Sequence, residues 1–270
     1  MNRLDECFRK LKDERRKALM PYLTAGDPDL DVSLDLAVAC EQGGADLLEL
    51  GIPFSDPLAD GPIVQEAVQR SLDSGTTFAG ILELTRRIRR VSEIPVVFLA
   101  YYNSVHCRGE AQFVQACANA GADGLVIPDL PPEEAEDLRA KAAKHDITVV
   151  QMLAPTSTSE RIDLVSKLAE GFIYCVSVTG LTGTRDALSD TLEAFLKRVR
   201  SLTATPLMVG FGISSPEQAA QAAREADGVI VGSALIERIA RVRALEGTPQ
   251  AITEAERFVN SLRRTLDNAV

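Results

Sequence analysis

Three carboxylates stand close together early in the chain: Glu49 at the end of the run ADLLEL, and Asp56 and Asp60 within PFSDPLADGP. If residues 45–50 form a strand, alternation turns Leu47 and Glu49 to one face and Leu48 and Leu50 to the other. In a closed barrel the first face is the interior. An acid held there must be hydrogen-bonded, paired or free to titrate. Two roles fit Glu49: proton transfer to a substrate, or a carboxylate that holds backbone amides of the following loop. In PFSDPLADGP proline narrows the backbone and glycine widens it, which suits a built loop. One aspartate can cap the helix that begins after Gly61-Pro62, and Asp56 is expected there. Asp60 either shares that role or is held opposite Glu49 across a pocket.

A second group of residues suits an anion. The run YCVSVTGLTGTR, Tyr174 to Arg185, is either an anion-binding loop or an ordinary strand-to-helix turn. Tyr174 shares a face with Phe172, so its hydroxyl either reaches the pocket or is satisfied inside a barrel. Arg185 either balances a phosphate or begins the next helix. Further on, Gly210-Phe211-Gly212 and Gly232-Ser233 each follow an apolar run. Barrels bind phosphate there through backbone N–H groups at a helix N-terminus.

The elements that must position these groups follow from periodicity. Strands are expected near 19–24, 45–50, 95–99, 124–127, 148–152, 172–176, 206–209 and 228–231, with amphipathic segments between them and no Gly/Ser-rich linker. This alternation over 270 residues predicts one domain, residues 1–270, folded as a TIM (β/α)8 barrel. Pro28 is expected to open the first crossover helix and Gly43-Gly44 to close it, with a positive φ at Gly43. Leu4, Phe8 and Leu11 predict an extra N-terminal helix over the bottom of the barrel. The stretch between the second and third strands is long enough for an elaborated loop and an additional helix. EEAEDLRAKAAKHD turns Ala135, Leu138 and Ala142 inward, so its acids read as a solvated face rather than a metal site.

Composition excludes several classes. A formal charge of -10 opposes a nucleic-acid backbone, and RRIRR at Arg86 to Arg90 and KRVR at Lys197 to Arg200 fall on expected surface helices. No run approaches the roughly 20 apolar residues of a membrane span. Five cysteines without CxxC spacing read as free, mostly buried thiols, and with no apolar signal core at the start they point to the cytoplasm.

ELGIPFSDPLADGP, Glu49 to Pro62, resembles the signature of tryptophan synthase α subunits, and MPYLTAGDP at 20–28, PDLP at 128–131, GLTG at 180–183 and GFGISSPEQ at 210–218 are similar to further motifs of that family in the same order. The resemblance implies a lyase that splits indole-3-glycerol phosphate reversibly into indole and glyceraldehyde 3-phosphate. It implies Glu49 and Asp60 as the catalytic pair, with Tyr174 and Thr182 supporting them. It implies a phosphate cradle at Gly183, Gly212, Gly232 and Ser233. An indole wall would comprise Tyr22, Leu99, Val126, Met152 and Phe211, with Tyr22 and Met152 standing where related chains often carry other hydrophobic side chains. Asp129 would anchor a lid or partner-facing loop. The family implies no metal and no cofactor in this chain, and an α2β2 heterotetramer with a β subunit that carries pyridoxal phosphate. Contacts to that subunit are expected at 53–75 and 103–109.

Overall fold

In the computed structural model, residues 2–176, 185–210 and 212–268 are described, with the backbone alone for 185–190. Eight strands pair in parallel and in chain order: β1 (Ala18–Thr24), β2 (Leu48–Gly51), β3 (Val96–Leu99), β4 (Gly124–Val126), β5 (Thr148–Leu153), β6 (Ile173–Val176), β7 (Leu207–Gly210) and β8 (Gly228–Val231). β8 returns to β1 with Ala18 opposite Gly228 and Pro21 opposite Val231, which closes the barrel. The expected (β/α)8 architecture is the observed one. The second strand starts at Leu48 rather than at residue 45, because Asp46 below it is drawn to the Leu19 amide and the Arg263 guanidinium.

Most strand residues are buried, so burial alone does not separate their two faces; the packing partners do. Met20, Leu47, Val97, Val126, Phe172 and Met208 pack together inside the barrel. Leu19, Leu48, Leu50, Phe98, Ile173 and Val209 pack outward against the helices. The period of two thus assigns Glu49 to the interior, between Tyr22 of β1 and Val97 of β3 in register.

Twelve helices surround this sheet among the described residues. The crossovers carry α2 (Leu30–Gln42), α4 (Phe78–Arg89), α6 (Glu110–Ala120), α7 (Glu136–Ala143), α8 (Ser159–Leu168), α9 (Arg185–Arg200) and α10 (Pro216–Ala223), while α11 (Ser233–Glu246) and α12 (Thr248–Asp267) follow β8. The extra α1 (Arg3–Asp13) is capped by Asn2, whose side chain accepts the Asp5 amide at 3.1 Å. Its Leu4, Phe8 and Leu11 close the bottom of the barrel, with the Phe8 ring 5.7 Å from that of Phe172. Gly171 has φ +65°, and a Cβ there would stand 2.6 Å from Leu4, so both backbone and space require glycine.

Two additional helices elaborate the upper loops: α3 (Pro62–Asp73) between β2 and α4, and α5 (Tyr102–His106) between β3 and α6. Two local expectations are corrected. α2 begins at Leu30, not Pro28, because Asp29 caps it by accepting the Val32 amide at 2.8 Å. The positive φ after α2 belongs to Gly44 at +100°, whereas Gly43 has φ -69°. Gly43 is constrained by space, since a Cβ would meet the Glu256 carbonyl at 2.7 Å. Ala135, Leu138 and Ala142 face inward on and beside α7 as the spacing predicts.

Cys40, Cys117 and Cys175 are buried free thiols, while Cys107 is exposed. No helix among the described residues is long and apolar enough to cross a membrane.

Candidate active site

Glu49 is completely buried near the upper end of β2. Neither of its carboxyl oxygens meets a hydrogen-bond partner among the described residues. Burial, and then the nearby Asp60 charge, push its pKa from 4.5 up to about 8. A carboxyl group placed this way is neutral at physiological pH and keeps a transferable proton.

Asp60 lies half-buried on the loop between β2 and α3. Its Oδ2 accepts the Tyr101 hydroxyl at 3.0 Å, and its backbone carbonyl accepts Gln65 Nε2 at 2.7 Å. Burial raises its pKa while the Tyr101 hydrogen bond pulls it back. Its charge acts on Glu49, Tyr22 and Tyr174, so the groups singled out from sequence converge on one space at the top of the barrel.

The capping role expected of Asp56 does not occur. α3 starts from Gly61 without a side-chain cap, with Pro62 in its first turn where an N–H would lack a partner. Asp56 is exposed and accepts its neighbour Ser55 at 2.8 Å, so neither loop aspartate caps the helix.

Two buried tyrosines flank the acids. Tyr22 lies against Gly51, where a Cβ would stand 2.1 Å from its hydroxyl oxygen; Thr24 donates to that oxygen at 3.4 Å. Tyr174 lies against Gly210 in the same manner, 2.4 Å from where a Cβ would be. Burial above all raises both phenols well above 10, so they remain neutral donors. Leu99 and Val126 share this inner layer, and Met152 is half-buried beside it. A cavity of about 410 Å3 opens at the mouth between β4 and β6, lined by Val150, Met152 and Val176 with Asp129 and Arg161 among its polar groups. Glu49 and Asp60 do not line that cavity.

Across the mouth, Gly212 follows β7 with φ +78°, and Gly232 precedes α11. The Gly232 carbonyl accepts the Leu235 and Ile236 amides at 2.9 and 3.1 Å, which leaves the amides of Ser233 and Ala234 without intrahelical acceptors. Ser233 is exposed there, and a Cβ on Gly232 would be 3.4 Å from Tyr22 Cβ, so this helix end borders the tyrosine wall. Such an end suits a phosphate group. Thr182, Gly183, Phe211 and the side chain of Arg185 lie outside the described residues.

Asp129 Oδ1 accepts the Tyr102 amide at 2.8 Å, tying the loop after β4 to α5. Glu133, Glu134, Glu136 and Asp137 are exposed beside a separate surface cleft. Among the described residues no group of three or more His, Cys, Asp or Glu is arranged to hold a metal ion.

Tyr101 was not singled out from sequence. It is 3% exposed, its hydroxyl accepts the Ala59 amide at 2.9 Å, and its ring stacks on Phe54 at 5.4 Å. The signal was present: Val97, Leu99 and Tyr101 continue the period of two past the end of β3.

The match to a tryptophan synthase alpha chain family model spans residues 8–267. A tryptophan synthase alpha chain from Thermoanaerobacter sp. (strain X514) is 45% identical over 98% of this chain and 100% of its own length. The crystal structure of tryptophan synthase subunit alpha from Legionella pneumophila str. Paris superposes with a TM-score of 0.92 at 38% identity, covering 99% of both chains. A chain from the tryptophan synthase α2β2 complex of Pyrococcus furiosus does so at 0.84 and 34% identity, covering 92% of this chain and 98% of that one. By sequence along its length and by the closed barrel that carries Glu49 and Asp60, the chain belongs to the tryptophan synthase alpha chain family.

Proposed function

We propose that this chain is a carbon–carbon lyase that cleaves indole-3-glycerol phosphate reversibly into indole and glyceraldehyde 3-phosphate, with Glu49 and Asp60 as its catalytic pair. The observation that carries the reading is a buried Glu49 without a hydrogen-bond partner among the described residues, protonated up to about pH 8 and electrostatically coupled to Asp60. Protonated Glu49 delivers its proton to indole carbon 3, which leaves the ring positively charged. The bond from carbon 3 to the glycerol chain then breaks, and its electron pair restores the neutral indole. As the adjacent hydroxyl becomes the aldehyde, its proton goes to the Glu49 carboxylate, which returns the acid to its starting form.

Asp60 accepts the indole N–H and opposes the transient positive charge of the ring. Tyr174 supports Glu49, and Thr182 orients Asp60 as the loop after β6 closes over the substrate. Tyr22, Leu99, Val126, Met152 and Phe211 form the indole wall. Backbone amides at Gly183, Gly212, Gly232 and Ser233 hold the phosphate. By analogy with the Pyrococcus furiosus complex, the chain assembles with a β subunit as α2β2 and passes indole to it. Pyridoxal phosphate would reside in that partner, and the assembly would be cytoplasmic.

The test is indole formation by wild type, Glu49→Gln and Asp60→Asn, beside glycerol phosphate affinity. Glu49→Gln is expected to lose roughly 10³-fold in kcat, and Asp60→Asn roughly 10²-fold, with affinity within about twofold. Near-wild-type turnover in folded Glu49→Gln would remove the central residue from this mechanism.

A further inference from the structure

The loop that carries Asp60 has few anchors of its own. Ser55, Asp56, Leu58 and Ala59 are exposed, and Leu58 is 93% exposed. Yet Asp60 must present a carboxylate to one edge of a flat ring, which demands a fixed direction. Ile52 at its start is tied to β3 by its amide, donated to the Leu99 carbonyl at 2.8 Å, and beyond that point a buried side chain just past β3, Tyr101, tethers it. Its ring stacks on Phe54 at the start of the loop, and its hydroxyl reaches Ala59 and Asp60 at the end.

We propose that Tyr101 is a positioning residue for the lyase reaction: its hydroxyl takes the Ala59 amide proton as acceptor, gives its own proton to Asp60 Oδ2, and so aims the carboxylate at the indole N–H. The inference rests on the assignment of Asp60 above. One hydroxyl performs both functions because it has a donor and acceptor lone pairs, and here each is engaged on the same loop. The bridge uses Oδ2, so the ring N–H can be met by Oδ1.

The hydroxyl also acts on the charge of Asp60. Burial favours the neutral acid, and the Tyr101 donor favours the carboxylate that the developing ring charge requires. Among the described residues, Asp60 also acts on Tyr22 from β1, Glu49 from β2 and Tyr174 from β6. Two of these are neutral phenols and the third is a carboxyl group protonated up to about pH 8, so none of these three supplies a cation in place of the hydroxyl. Asp129 acts on Tyr101 from the loop after β4.

The test compares full-length wild type, Tyr101→Phe, Phe54→Leu and Asp60→Asn, alone and with the β subunit, using indole-3-glycerol phosphate as substrate. Tyr101→Phe keeps the ring and its stacking. It is expected to lower kcat about tenfold with KM within about threefold, as loss of a hydrogen bond to a charged group. Because turnover needs Asp60 ionised, and removal of a donor raises its affinity for a proton, the acid limb of kcat/KM moves to higher pH in Tyr101→Phe. In Phe54→Leu, which keeps the hydroxyl bridge, the acid limb stays in place. Tyr101→Phe combined with Asp60→Asn should lose no more than Asp60→Asn alone. Wild-type kcat and an unmoved acid limb in Tyr101→Phe, with Asp60→Asn impaired, would overturn the inference and leave the catalytic pair standing. Equal loss in Tyr101→Phe and Phe54→Leu with no movement of the acid limb would also overturn it, since packing alone would then explain the effect. Normal turnover in Asp60→Asn would instead remove the catalytic assignment and the inference with it.

Discussion

The two ends of this barrel treat acids in opposite ways. At the lower end, Asp46, Asp123 and Asp227 each precede a strand and accept a backbone amide near the start of the strand before: Leu19 at 2.9 Å, Val96 at 2.8 Å and Leu207 at 2.7 Å. Each also receives an arginine. Arg263 meets Asp46 at 3.0 Å, Arg89 and Arg3 meet Asp123 at 2.8 and 3.1 Å, and Arg200 meets Asp227. At the upper end, Glu49 receives neither amide nor guanidinium among the described residues, and the charge that acts on it is that of another carboxylate. Strand ends are joined where acids are paired; a proton is held ready where pairing is withheld. The division follows the general separation of stability and chemistry between the two faces of such barrels.

Breaking the lower end should have the larger effect on stability. Asp123→Ala removes the acceptor of two arginines and leaves the mostly buried Arg89 charge without its carboxylate. Unfolding in urea should show a loss of about 3–5 kcal/mol, while indole formation by the remaining folded protein stays near wild type. A matching fall in kcat would mean that the two ends are not independent. At the upper end, Gly212→Leu forces a side chain onto a backbone with φ +78°. It should cost only about 1–2 kcal/mol of stability and weaken glycerol phosphate binding about tenfold, read by calorimetry. Unchanged affinity would place the phosphate elsewhere than beside Gly212.

Sequence periodicity carried the architecture because parallel barrel strands repeat one local rule, an apolar run with alternate residues inward, until the sheet closes. The direction of Glu49 and the place of Tyr174 beside Phe172 followed from that rule. The loops were harder to read. Asp56 looked like a helix cap, but Pro62 lets α3 start without a side-chain cap. Pro28 looked like a helix start, but the capping carboxylate is one residue further on, at Asp29. Tyr101 escaped notice because its partners, Ala59 and Asp60, lie about forty positions away and meet it only when β3 folds beside β2. That Glu49 meets no partner among the described residues was likewise beyond reach, since strand alternation gives a direction and says nothing about which neighbours arrive.

The most direct test of the contrast is the titration of Glu49 itself, followed by carboxyl-carbon NMR with Glu49→Gln to assign the signal, alongside the pH dependence of kcat/KM for indole release. An acid protonated up to about pH 8 must show its chemical-shift transition there, and kcat/KM must fall above that pH as the proton donor is lost. A transition near the ordinary 4.5, with activity unchanged through pH 9, would contradict a neutral Glu49 as the resting acid.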